Sequence, residues 1–463
     1  MNRRKQSPLL LAGLCLCATT CIALSITVAA TAATGTTTIV SLDSSGRQAN
    51  DASWSPMTSD DGCVVAFKSD ASNLVPDDTN GLPDVFLHDC RSRLTTRLSV
   101  SSSGEQANGW TYGFDLSADG RVVAFASDAA NLVPNDTNGR TDIFVHDTGT
   151  GITSRVSVAA SGAEGNSGAD SPALSADGRF VAFESWASNL VPDDANGQPD
   201  IFVHDRQTGV VTLVSLDSSG TQADDRSYAP AISADGRFVA FQSYASNLVA
   251  ADSNDASDIF VHDRHTGTTT RVSVDSSGAQ ANEDSFEPDL SADGRFVAFH
   301  AWASNLVAGD TAICEDHWGP RNCVDVFVHD CQTGATTRVS VDSVDGQGNS
   351  DSGGAAVSAD GRFVAFSSSA SNLVLDDTNE VADAFVYDRQ LRVVVRVSVN
   401  SNGWQASGPS GMVALSADGR FAVFASRAND LVPSDENEVE DIFVRDLGEP
   451  PQQIFMPAIG RGS

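Results

Sequence analysis

Acid and amide side chains recur along this chain at one fixed spacing: an aspartate, one residue, an asparagine, three residues and a second aspartate. The triplets are Asp78, Asn80 and Asp84; Asp136, Asn138 and Asp142; Asp194, Asn196 and Asp200; Asp252, Asn254 and Asp258; Asp377, Asn379 and Asp383; and Asp435, Asn437 and Asp441. Oxygen-bearing side chains on a loop with a glycine turn suit a hard cation, and calcium takes roughly 6 to 8 oxygen ligands. Calcium is therefore the cofactor the spacing allows. Pro76 and Pro134 stand where a calcium loop would open with an acid, and a terminal glutamate is missing, so each loop offers few charges and modest affinity. A second reading fits the same residues: Asn and Asp side chains bond their own backbone in a tight turn and cap the strand that follows.

Aromatic residues form a second pattern. Trp186, Tyr244 and Trp302 hold one position at successive spacings of 58, where Asp70 and Asp128 stand earlier in the chain. A flat aromatic row beside carboxylates stacks on sugar rings or peptide side chains; the same rings also pack well against a proline-containing loop. Trp110, Asp225 and Asp284 fall in the segments that differ most from copy to copy, where a constant scaffold presents a recognition surface. The partner implied is a protein, peptide or glycan. Trp54, Tyr112, Tyr228 and Phe286 each lie eight residues before an Asp-Gly glycine, a regularity that favours packing. His88, His146, His204, His262 and His329 occur once per copy, too far apart for a shared metal, and are read as structural. No catalytic residues are assigned: the chain has no Gly-x-Ser-x-Gly elbow, no His-Glu-x-x-His and no phosphate loop. Catalysis would have to come from carboxylates gathered from several copies, as in sugar-cleaving sites.

The 463 residues carry 61 acidic against 28 basic side chains, a formal charge of -33, and a hydrophobic share of 41% is enough for a core. So acidic a chain does not neutralise a polyanion, which excludes nucleic acid as a partner. Arg3, Arg4 and Lys5, an apolar stretch from Leu9 to Ala30 and the triplet Ala30-Thr31-Ala32 read as an export signal over residues 1–32. No later stretch approaches the roughly 20 apolar residues of a membrane helix. The expected location is secreted or periplasmic, and the expected state a monomer.

The element that must position these groups is a repeat. Asp-Gly followed by a strand-like run recurs with its glycine at 62, 120, 178, 236, 294, 361 and 419, in steps of 58 broken once by an insert from Ile313 to Cys323. Each copy holds four short runs rich in Val, Phe, Ile and Thr, and Asp-Gly between the first two is a strong hairpin signal. In the second run Phe180, Ala182 and Glu184 alternate with Val181 and Phe183, so both faces of the sheet need covering. Seven four-stranded sheets that each bury two faces are satisfied by stacking around an axis. The last copy lacks its fourth run, and a matching run, residues 37–42, precedes the first. The sequence thus predicts an all-β, seven-bladed β-propeller over residues 33–463, its ring closed by the N-terminal strand in the last blade, with a short tail from about 448. The insert is expected to cost the fifth blade its acid loop.

The run Ser-Ala-Asp-Gly-Arg-Phe-Val-Ala-Phe at 175–183, with near copies at 233, 291, 358 and 416, and the run Asp-Ile-Phe-Val-His-Asp resemble the WD40-like repeat of TolB-type propellers. The resemblance implies the propeller fold and says little about function; the chain has no room for a separate N-terminal domain like that of TolB. Five cysteines follow the export signal. Cys63 and Cys90 fall at ends of neighbouring strands and are expected to bridge, Cys314 and Cys323 to staple the insert, and Cys331 to be left over. In this strand order the loops joining second to third strands and blade to blade share one face, and the acid loops make that face the charged one. The reading is an exported, non-catalytic propeller binding a ligand or protein there, with calcium-ordered loops. The alternatives are an exported carboxylate-dependent glycosidase or lyase with its site at the channel mouth, and a structural cell-envelope interaction module.

Overall fold

Each Asp-Gly pair closes a hairpin. In blade three, Asp177 Oδ1 accepts from the Ser175 hydroxyl at 2.7 Å and from the Arg179 amide at 2.9 Å, while Gly178 takes a φ of 65° that only glycine adopts without strain. That glycine also lies against blade two: a Cβ on it would come within 2.8 Å of Val122. The Arg179 side chain, unlike its amide, leaves Asp177. The Arg179 guanidinium reaches Asp205 at the end of the third strand, at 2.7 and 2.9 Å, and lies over the Phe180 ring at 4.6 Å. The hairpin is thus tied to the strand beyond it.

In the computed structural model residues 35–316 and 319–448 are described, so the expected export signal and most of the tail lie outside the described residues. Blade three consists of Ala169–Leu174, Phe180–Ser185, Asp200–Asp205 and Val210–Leu213, all antiparallel. Phe183 and Phe202 face each other across its central pair with ring centroids 5.9 Å apart, and both are fully buried. They belong to a core that also takes Ile143 and Val145 from blade two. Each core therefore lies between two blades, which is why neither face of a sheet is polar.

The described residues form seven such four-stranded sheets and one separate two-stranded hairpin, Ile313–Asp316 with Gly319–Asn322. Thr37–Ile39 pairs with Asp441–Asp446 and supplies the fourth strand of blade seven, as the sequence predicts. The first strands touch their neighbours all the way round, Ser410–Leu415 meeting Ser53–Thr58. A circle of backbone hydrogen bonds runs through the hairpins. Asp60 N–H donates to Ala118, Ala118 to Ala176, and so on by way of Ala234, Ala292 and Ala359 to Ala417, which donates back to Asp60 at 3.0 Å.

Four of the five histidines read as structural bind a threonine of their own blade, while His204 faces Val211 and its Nδ1 has no partner. His146 Nδ1 lies 2.9 Å from Thr153 Oγ1, and that hydroxyl donates to the Val100 carbonyl of the preceding blade at 2.5 Å. His88, His262 and His329 repeat this with Thr95, Thr269 and Thr336. Cys314 and Cys323 are bridged, with Cα atoms 4.9 Å apart. Cys63 and Cys90, expected to bridge, are free thiols. Their backbones pair, Cys90 N–H donating to Cys63 O at 2.9 Å, but the Cys63 thiol turns to the Asp61 carbonyl at 3.6 Å. Cys331 is also free. Among the described residues no helix is long and apolar enough to cross a membrane.

Candidate ligand-binding face

The acid loops sit where the topology requires, between second and third strands, but most of them already hold a cation. Arg97, on a fourth strand, places Nη1 3.1 Å from Asp78 Oδ1 and 3.3 Å from Asp84 Oδ2. Arg155 does the same for Asp136 and Asp142, both at 3.1 Å, and adds Glu164 at 2.7 Å. Arg271 joins Asp252 to Asp258, and Arg396 joins Asp377 to Asp383. In these four loops a buried guanidinium stands between the two carboxylates expected to bind calcium. The asparagine has the turn role: Asn80 Nδ2 donates to Asp84 at 3.0 Å and to the Ala107 carbonyl at 3.2 Å, and its oxygen accepts from Leu82 N–H. The fifth blade, expected to lose its loop, keeps it, because Asp310 and Asp325 grip Arg338 at 3.3 and 3.2 Å. The insert follows Asp310 and leaves the pair intact. The arginines are the residues the sequence reading missed; their signal was the recurring Arg-x-Ser at the fourth strand.

Two blades lack the arginine. In blade three Leu213 takes its place, and the Gln222 amide donates to Asp194 Oδ1 and Asp200 Oδ2, both at 2.8 Å, with Asn196 at 2.9 Å from Asp200. Burial pushes the Asp200 carboxyl up to about 6. In blade seven Ile39 takes its place, and burial again pushes Asp441 up to about 6.

Around the axis, every first strand carries a bulge, and in most blades the bulged residue has positive φ: Ser55, Ser171, Ala229, Glu287, Gly354 and Met412. These first strands ring the axis of the propeller. Asp170 and Glu184 are directly opposed there, on the first and second strands of blade three. Burial raises the Glu184 carboxyl, and Asp170 adds to the rise; Glu184 Oε2 accepts the Ala229 N–H of the next blade at 2.9 Å. Gln242 accepts from Glu287 N–H in the same way at 3.1 Å, so the contact does not require a charge. Deeper in the channel, Asp115 and Asp289 each accept two backbone N–H groups, one from the next blade, and burial pushes both up to about 6.

Trp186 is 53% exposed, as is Trp110. Tyr244 packs under the Arg226 guanidinium at 4.3 Å, and Trp302 meets Phe286 edge to face at 5.2 Å, each within its own blade. Asp225 and Asp284 serve the backbone, accepting from Arg226 N–H at 2.8 Å and Ser257 N–H at 2.6 Å. Of the six expected binding residues, Trp302 lines a surface groove. This groove of about 550 Å³ runs between Trp302, Glu283 and the insert hairpin, with Ile313, Pro320, Arg321 and Asn322 on the far wall. Arg321 lies 5.9 Å from the Trp302 ring and is held by Asp351 at 2.8 Å. Trp302 Nε1 is buried and has no hydrogen-bond partner. The disulfide fixes the base of this hairpin, so the cysteines that bound the insert were the sequence signal for its far wall.

No protein-family model and no curated protein matches the chain. Solved structures do, at the level of fold. The β-propeller domain of the trilobed protease from Pyrococcus furiosus, described as having an open velcro topology, is 13% identical with a TM-score of 0.50, over 88% of this chain and 98% of that one. One of two prolyl endopeptidases is 12% identical with a TM-score of 0.52, over 86% of this chain and 48% of that one. TolB from Acinetobacter baumannii is 16% identical with a TM-score of 0.39, and the chain spans 59% of its length. The propeller fold is shared. Unlike the open topology named for the protease domain, the ring here is closed by the N-terminal strand.

Proposed function

We propose that the protein is an exported, non-catalytic propeller that binds a glycan or peptide chain on its loop face, in the groove between Trp302 and the insert hairpin. The observation that carries this is the groove of about 550 Å³ in which the partly exposed Trp302 ring stands with Ile313, Pro320 and the charged Glu283 and Arg321. A ligand with ring faces and hydroxyls, or an extended peptide, stacks on the indole and hydrogen-bonds to the polar side chains of the groove. Export is supported by the leader-like residues 1–32 and by the Cys314–Cys323 bridge. The enzyme alternative draws support from the opposed Asp170 and Glu184, although Glu184 already holds Ala229.

Retention on immobilised glycans and peptides, comparing the parent with Trp302→Ala, tests the reading. Retention is expected to weaken about tenfold or more in Trp302→Ala and to persist in Trp186→Ala; equal retention by parent and Trp302→Ala rejects the groove. A glycan recovered cleaved by the parent and intact from Glu184→Gln would instead establish the enzyme.

A further inference from the structure

Blade seven departs from the others at the point where the ring closes. In five blades a fourth-strand guanidinium touches Oδ1 of the first loop aspartate and Oδ2 of the second; in blade three the Gln222 amide meets the same two oxygens. The fourth strand of blade seven is Thr37–Ile39, and Ile39 sits opposite Phe443 as Arg97 sits opposite Phe86. Asp441 has no exposed surface. Its Oδ1 accepts from the Ser41 hydroxyl at 2.5 Å, while Oδ2, the oxygen that meets the guanidinium elsewhere, makes no close hydrogen bond, and the Asn437 amide also acts on the carboxyl. Gln48, the counterpart of Gln222, donates to Asp435 Oδ1 at 3.2 Å. The loop itself is the most acidic of its kind, with Asp435, Glu436, Glu438, Glu440 and Asp441, and Arg427 approaches only Glu440, at 3.5 Å.

A carboxylate oxygen buried without a partner is costly unless a cation meets it. We propose that a hard divalent cation binds between Asp435 and Asp441 and takes the part that arginine plays in five other blades. Asp435 and Asp441 supply anionic oxygens, and half-buried Asp435 leaves a side open for water; the Gln48 and Asn437 amides turn their N–H groups to Asp435 and the Ala49 carbonyl and their oxygens to the Glu436 and Val439 N–H groups, so water completes the oxygen set that a hard cation such as calcium takes. Ser41 and Gln48 belong to the N-terminal segment, and Asp435 and Asp441 to the last blade. The cation thus fastens the two ends of the ring. It is a site of one blade, distinct from the ligand groove and independent of it.

Calcium and magnesium are the probes. Equilibrium dialysis of the full chain, prepared free of metal, is expected to show one equivalent of calcium bound at millimolar concentration, with a melting temperature several degrees above that in chelator. Ile39→Arg, which installs the guanidinium of the other blades, is expected to lose that equivalent and to melt at one temperature with or without calcium. Asp435→Asn, a nearly isosteric change, is expected to lose it too and serves should Ile39→Arg fail to fold. Magnesium bound in the same stoichiometry and lost in the same variants also supports the site. A parent that binds neither ion, or an Ile39→Arg that keeps its equivalent, overturns it.

Discussion

Arg155 shows how much one side chain decides on this face. Its side chain is 8% exposed, and it pairs with Asp136, Asp142 and Glu164 together. Removing one partner of a buried ion pair leaves uncompensated charge, which costs about 3–5 kcal/mol. Blade three shows how a leucine is tolerated at this position: the Gln222 amide meets both carboxylates. Blade two has Glu164 in place of that glutamine, whereas blade four has Gln280, which already donates to Asp252 and Asp258 at 2.6 and 3.0 Å. Arg155→Leu is therefore expected to lose about 3–5 kcal/mol in urea unfolding, and Arg271→Leu about 1–3 kcal/mol. Equal losses would show that the amide does not substitute for the guanidinium. Asp289 supplies a pH dependence. It lies deep among protein atoms yet keeps partial solvent exposure, and burial holds its carboxyl at about 6 against an ordinary 3.8. The folded state then binds the proton more tightly than the unfolded state, so this group's contribution falls as pH rises from about 4 to about 6. Asp289→Ala installs the residue that four other blades carry, at Ala173, Ala231, Ala356 and Ala414. The melting temperature of the parent is expected to fall relative to this variant across that range, by no more than about 3 kcal/mol in stability and less where channel water screens the charge. A constant difference would contradict the assignment.

At the scale of the strand, the first-strand bulge carries a local cost in the five blades where a non-glycine residue takes positive φ. Ala229 has a φ of 46° and Glu287 of 47°, where Gly354 holds the equivalent place in blade six with a φ of 63°. A non-glycine residue in that region costs about 1–2 kcal/mol, partly offset by the entropy a glycine loses on folding. Ala229→Gly is expected to stabilise the protein by about 0.5–1 kcal/mol, read from the shift of the urea midpoint at unchanged slope; destabilisation would mean that the Ala229 methyl packs better than its backbone is strained. Strand order and hairpins were legible in the sequence because Asp-Gly at a spacing of 58 and runs such as Phe180–Ser185 are local signals. The partners of the loop acids were not legible from the loops alone. Asp78 and Asp84 meet Arg97 only after two strand pairings bring the fourth strand beside the loop, and an acid-amide-acid spacing looks alike whether a metal or a guanidinium completes it. Asp310 escaped notice because the insert hides its distance to Asp325. Phe286, read as packing, does pack against Trp302, whereas the far wall of the groove lies in an insert with no copy to compare.

Across the whole molecule, one arrangement places every functional group discussed above. The hairpins hydrogen-bond in a closed circle on one side, so the acid loops, Trp302 and the insert hairpin share the other. That circle depends on blade seven, whose outer strand comes from the opposite end of the described chain. Val40 N–H donates to Ile442 O at 2.8 Å, and Thr37 Oγ1 donates to the Val399 carbonyl of blade six at 2.5 Å. Closure also covers the edge that the third strand Asp441–Asp446 would otherwise expose to other chains. Native-state hydrogen exchange, resolved at residues 37–40 and 441–446, tests this most directly. The paired amides of the N-terminal strand are expected to be protected and to exchange together with those of Asp441–Asp446. Exchange of residues 37–40 at the rate of an unstructured peptide, beside a protected Asp441–Asp446, would contradict the closed ring and with it the shared face.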